Sequence, residues 1–288
     1  GTDSSFTHDE IATDKRNPTI NGGGPVYGVS AGHGSLTVVD PIANSAVELT
    51  IPVRLDDPDN VPSRFPQTQL QPSYYWGDQL LWGRGGPDGH ENSADPHNPM
   101  MDQKGRVWMT STIRPGQNPD WCVDSEHPSV QQFPLRRASR HLSYYDTDSE
   151  KFVLIDTCYA THHLQFATDA NDTLWTSGDT NAVGWLNTKM FDETGDERAS
   201  QGWCPTVLDT NGDGTLGEYV EPNEPMDPTK DRRISGFAYG IIPHPSDGSI
   251  WIARRLPLPG HLVRLDPETC LSEVYEPPFE DPAVAFTQ

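Results

Sequence analysis

Pro96-His97-Asn98-Pro99-Met100-Met101-Asp102-Gln103-Lys104-Gly105-Arg106-Val107-Trp108-Met109-Thr110 reads as a short apolar run, a polar turn with glycine, and a second run carrying tryptophan. The pattern returns twice. It recurs at His163-Leu164-Gln165-Phe166-Ala167-Thr168-Asp169-Ala170-Asn171-Asp172-Thr173-Leu174-Trp175-Thr176-Ser177 and at Tyr239-Gly240-Ile241-Ile242-Pro243-His244-Pro245-Ser246-Asp247-Gly248-Ser249-Ile250-Trp251-Ile252-Ala253. Runs this short, apolar and bounded by turn residues are strands joined by tight turns. A second hairpin follows, His141–Asp146 with Lys151–Asp156 and His261–Asp266 with Leu271–Tyr275, and the same half stands near the start as Ser35–Asp40 and Ala46–Ile51. Two hairpins per repeat make a four-stranded antiparallel blade, the unit of a β-propeller. The expected fold is therefore all-β, about three full blades plus a partial one, with an N-terminal extension over 1–25 and blades over 26–288. A β-sandwich with coincidental repeats is the competing architecture.

Composition narrows the partners. Asp and Glu number 42 against 20 Lys and Arg, a formal charge of −22 that repels nucleic-acid phosphates and anionic lipid headgroups. No run approaches the roughly 20 apolar residues that a membrane-spanning helix needs. Gly1–Ser5 carries no charged and apolar leader, so the expectation is an exported product whose signal has been removed. Cys122, Cys158, Cys204 and Cys270 are widely spaced with no C-x-x-C pair, which leaves either disulfides or buried thiols. The even count favours disulfides, and with them a secreted, periplasmic or cell-surface setting.

The blade motif, His or Tyr, a short apolar strand, Asp, a small turn and Val/Leu/Ile-Trp, resembles that of the virginiamycin B lyase (streptogramin lyase-like) propellers, within the wider gluconolactonase and NHL-repeat group. The resemblance spans residues 26 to 278 and is specific for fold rather than activity, because such blades occur on enzymes and binding modules alike. Propellers of that family close with six or seven blades. It follows from the resemblance that a C-terminal segment or a protein partner would complete the ring.

In such a blade, connections from the second to the third strand and from the fourth strand to the next blade leave on one face. Three long segments share that face on this assignment: 54–96, 114–140 and 209–236. Long loops on a rigid scaffold are where function usually sits. Cys122 and Cys158 both fall on that face and can pair. Cys204 and Cys270 are assigned to the openings of outer strands on the other face, with no basis for pairing them.

Three groups of residues carry chemistry. Asp209-Thr210-Asn211-Gly212-Asp213-Gly214-Thr215 alternates oxygen side chains around glycine, the arrangement that wraps calcium. Asp209, Asn211, Asp213 and the carbonyl of Thr215 fill the first, third, fifth and seventh places, with Glu218 and Glu221 as further ligands on either side of the twelfth, Val220. An Asp/Asn-rich turn without metal is the alternative. The second group is His97 and His163 at the entrance of the innermost strands, with His162 beside them. The resemblance implies a catalytic histidine near a divalent cation in the channel, a second metal besides calcium, and His97 or His163 matches by position. Channel histidines that only hydrogen-bond buried water are the alternative. The third is aromatic: Tyr74, Tyr75, Trp76 and Trp82, with Tyr239 in the histidine position of its blade, suited to a carbohydrate or other small-molecule ligand, or simply pinning a loop. Arg136, Arg137 and Arg140 offer either an anion contact or ion pairs. Two functions remain: a metal-assisted lyase or hydrolase at the channel mouth, and a non-catalytic module that binds a carbohydrate, peptide or partner chain.

Overall fold

In the computed structural model, the described residues are 7, 9–54, 69–73, 77–82, 94–178, 181–236, 238–254 and 260–276. They fall into two compact units, one of residues 1–117 with 139–156, the other of 118–138 with 157–288. Strands dominate both units: three sheets are four-stranded antiparallel meanders in chain order, the blades of a β-propeller, a fourth such meander lies within a seven-stranded sheet, and one sheet is a two-stranded hairpin.

The first unit holds two blades. One is formed by β1 (Asp9–Ile11), β2 (Val26–Ser30), β3 (Ser35–Asp40) and β4 (Ser45–Thr50), so a strand from within the stretch read as an extension completes the blade whose second half the repeats revealed. A separate hairpin, β5 (Gln69–Ser73) with β6 (Gly77–Trp82), lies within segment 54–96. The other blade comprises β7 (His97–Met101), β8 (Val107–Ser111), β9 (His141–Asp146) and β10 (Lys151–Ile155). Its Asp102 shows why the repeat carries an acid at the turn. The buried carboxylate accepts from the amides of Lys104 (2.9 Å) and Arg106 (3.0 Å), from Arg106 Nε (2.6 Å) and from Trp108 Nε1 (2.8 Å). One side chain thus closes the turn and fixes the tryptophan that fills the blade. Apolar faces of both blades share one core, including Val29, Leu36, Ile51, Met101, Val107 and Met109.

The second unit holds β11 (Leu164–Phe166), β12 (Thr173–Thr176), β13 (Ala182–Asn187) and β14 (Gln201–Pro205) as one blade. Between β13 and β14, Thr188–Thr194 forms a helix. Asn187 caps it by accepting from the Met190 amide (2.9 Å), and Gly195 ends it at φ 67°. The last sheet has seven strands. After β15 (Val207–Leu208), β16 (Tyr219–Val220) and β17 (Asp231–Arg233) comes the meander β18 (Gly240–Pro243), β19 (Ile250–Arg254), β20 (His261–Leu265) and β21 (Leu271–Tyr275). β15 pairs in parallel with the outer strand β21, so segment 209–236 is built onto the outer edge of that blade.

Both disulfides lie within the second unit. Cys122 pairs with Cys158, as the loop assignment allowed, with Cα atoms 5.6 Å apart. Cys204 pairs with Cys270 at 5.5 Å, a bridge the sequence did not suggest. The reason is a correction: Cys204 lies near the exit of β14, not at the opening of an outer strand, and β15 then runs beside β21 directly after Cys270. No helix among the described residues is long and apolar enough to cross a membrane.

Candidate functional site

The chain reaches His162 and His163 along a segment fixed at nearly every residue. Cys158 is bridged to Cys122, its amide donates to Gln201 Oε1 (2.9 Å), and its carbonyl accepts from Asn118 Nδ2 (2.6 Å). Thr157 Oγ1 donates to the Tyr159 carbonyl (2.7 Å), and the Tyr159 ring lies against Gly184, where a Cβ would stand 2.2 Å from a ring atom. A Cβ on Gly178 would stand 1.7 Å from the Ala160 carbonyl oxygen, so only glycine lets β12's continuation run this close to the segment. That approach carries the bonds His162 N to Ser177 O (2.6 Å) and Ser177 N to His163 O (3.0 Å).

These constraints bring His162, His163, Ser177 and Tyr239 together. His163 Nδ1 is 2.8 Å from the Tyr239 carbonyl and His162 Nδ1 is 3.2 Å from His163 Nδ1. A carbonyl only accepts, so the proton of neutral His163 sits on Nδ1 and its lone pair on Nε2; His162 Nδ1 then accepts, with its own proton on Nε2. Ser177 Oγ also donates to the Tyr239 carbonyl and accepts from the His163 amide (3.2 Å). The His163 ring meets the His162 ring edge-on (centroids 4.4 Å) and the Tyr239 ring likewise (4.7 Å). Imidazoles oriented this way, one ring N–H on a backbone carbonyl, are the usual arrangement of histidine bases and metal ligands. Ser177 was missed in the sequence, although it stands two residues beyond the repeat's tryptophan and therefore opposite the entrance of the inner strand.

His97 lies in the first unit and occupies the equivalent place in its own blade. Aligning the repeats residue by residue sets His163 against Pro96, one short of His97. A bulge between His97 and Met100, with Asn98 at φ 49°, absorbs the difference, and His97 stands opposite Thr110, two beyond Trp108. The buried His97 ring has Nδ1 3.3 Å from Asp9 Oδ2, an oxygen that also accepts from the Asn98 amide (3.2 Å). By the same register Gly240, opposite Ala253, holds that place in the last blade, and Tyr239 precedes it.

The Asp209 loop is an exposed coil ordered by its own side chains. Asp209 accepts from the amides of Gly212 (2.7 Å) and Gly214 (2.9 Å), Asn211 from that of Asp213 (2.9 Å), and Asp213 from the amide and hydroxyl of Thr215 (both 2.8 Å). Gly212 and Gly214 take φ of 79° and 75°, which explains both glycines. Glu218 and Glu221 are engaged elsewhere, Glu218 with Lys230 (2.8 Å) and Glu221 with Arg233. The Lys230 ammonium holds the Glu218 carboxyl below its ordinary value.

Of the aromatic group, Tyr74, Tyr75 and Trp76 lie outside the described residues and Trp82 ends β6. Arg140 is buried on Asp95 (3.0 and 2.8 Å), the ion-pair reading of that arginine.

No family model matches the chain, and no curated protein does. Among solved structures it is similar to a catalytically inactive virginiamycin B lyase from Staphylococcus aureus with quinupristin (11% identity, 96% of this chain and 72% of that one, TM-score 0.38). It is also similar to a luciferin-regenerating enzyme (10% identity, 97% and 78%, TM-score 0.39). At such scores the blade assignment rests on strand order and register. The class defined by fold and site is a disulfide-bonded protein of propeller blades with an oriented histidine pair.

Proposed function

We propose that the protein is an exported β-propeller enzyme of the lyase or hydrolase kind, with His163 as its acid–base residue. The observation that carries this is the hydrogen bond from His163 Nδ1 to the Tyr239 carbonyl (2.8 Å), which leaves the basic lone pair on Nε2 and holds the ring in one orientation. Near neutral pH such an imidazole takes a proton from water or from carbon beside a carbonyl, and returns it to the leaving oxygen. His162 Nδ1, accepting from the same N–H at 3.2 Å, favours the protonated intermediate state of His163. The donor set also suits a divalent cation on the imidazole nitrogens, where the metal would polarise a substrate carbonyl. The test is turnover of a panel of lactones and cyclic esters, with and without a chelator, alongside calorimetric titration with Mn²⁺. His163→Gln should lower turnover by about 100-fold or more while leaving the melting temperature in place. Unchanged turnover in His163→Gln sinks the proposal, and a wild-type protein inert towards the whole panel favours the non-catalytic binding module.

A second reading concerns calcium at the Asp209 loop. Its support is the oxygen-rich donor set of Asp209, Asn211, Asp213 and the Thr215 carbonyl, on a coil already bent around two glycines at positive φ. Since Glu218 and Glu221 bind Lys230 and Arg233, the ion would be held by the four-ligand half of the loop and water. Two disulfides fit export to an oxidising compartment.

A further inference from the structure

At the outer edge of the last sheet, where β15 and β17 have been added beyond β21, is a cavity of about 600 Å³. Its lining is apolar at Leu208, Ile234 and Val274 and basic at Arg232, Arg233 and His261. Behind the wall lies Arg254, fully buried at the end of β19 and paired across the strands with His261. Its guanidinium donates to the carbonyl of Ser235, a lining residue (2.9 Å), to that of Gly236 and to the Thr206 hydroxyl, all neutral acceptors. Nε of Arg254 and Nε2 of His261 are buried with no hydrogen-bond partner, and no carboxylate pairs with Arg254 among the described residues. Burial and the nearby Arg233 charge push the Arg254 guanidinium down to about 10, yet it remains a cation at neutral pH.

A buried cation without a counterion is costly in any protein, and this one sits in a chain of net charge −22 that has carboxylates to spare. One carboxylate, Glu276, lines the cavity, and Glu221 engages Arg233 beside it; burial first, then the Arg254 charge, lowers the His261 pKa, so that ring neutralises neither. Arg232 gives one N–H to the Pro222 carbonyl (2.6 Å), again a neutral acceptor. Arg232, Arg233 and Arg254 thus face two carboxylates, which leaves one positive charge to be balanced, and a bound anion balances it. We propose that this cavity is an anion site that takes a small molecule by a phosphate or sulfate group, held by Arg232, Arg233 and His261 against the charge of Arg254, with the rest of the ligand on the apolar wall.

The site is tested on the full chain with inorganic phosphate and with sulfate, at an ionic strength held constant with sodium chloride. Wild type should melt higher in either dianion than in chloride, and calorimetry should show one site per chain. Arg232→Gln should weaken that binding by about tenfold or more, the loss of a charge-assisted contact. Arg264→Gln, on a half-buried arginine elsewhere in the sheet that pairs with Asp247 and Glu273, and His163→Gln should leave it unchanged. The proposal is overturned if both dianions behave as chloride does, or if Arg232→Gln binds them as wild type does. Arg254→Met supplies a further arm: a folded variant that binds phosphate undiminished also refutes it.

Discussion

Replacing Cys122 and Cys158 together by alanine removes the bridge that anchors the segment leading to His162 and His163. The two cysteines are separated by 36 residues, and in the chain-entropy model a loop of that length is worth about 3.8 kcal/mol at 25 °C. For a unit of this size that predicts a melting temperature lower by roughly 8–15 °C. Cys122 and Cys158 share a buried cluster with Trp203, so tryptophan fluorescence reports the unfolding of their surroundings, and guanidinium titration gives the free-energy difference. The same treatment of Cys204 and Cys270, 66 residues apart, predicts a slightly larger loss of about 4.3 kcal/mol. A loss below about 1 kcal/mol for the first pair would refute the idea that the bridge restrains an otherwise open chain. It would mean that Asn118 and Gln201, which bind the backbone of Cys158, hold the segment without it.

Two further outcomes follow from named groups. His141 is fully buried, and burial first, then the charges of Arg114 and Arg54, keeps its pKa well below the ordinary 6.5. The unfolded chain therefore binds a proton below about pH 6.5 that the folded one refuses, so stability falls as pH drops through that value; denaturant titrations from pH 7.5 to 5 should show this slope, shallower in His141→Gln. Chelation should lower the melting temperature if calcium fills the Asp209 loop, and Asp209→Asn should abolish that difference; equal melts with and without chelator refute the ion.

The blades were legible because a hairpin repeat is local chemistry. Asp102 and Trp108 lie six residues apart, as do Asp169 and Trp175 in the next copy, and an acid that accepts from turn amides this close to a tryptophan is visible over a few residues. The equivalence of His97 and His163 was also legible, although it is the bulge at Asn98 that makes it hold. By contrast β1 is only Asp9–Ile11, too short to show a period, and helix Thr188–Thr194 announces itself only through Asn187 and Gly195.

What required the fold were the partnerships between distant parts of the chain. His163 meets the Tyr239 carbonyl across 76 residues, Cys204 finds Cys270 across 66, and Arg254 is buried on Thr206 across 48. Sequence alone determined which segments become blades, because strand and turn preferences act over a few residues. The tertiary structure decided which imidazole nitrogen is basic and which arginine is left without a counterion, because proton placement and charge burial depend on atoms that only packing brings within 3 to 4 Å.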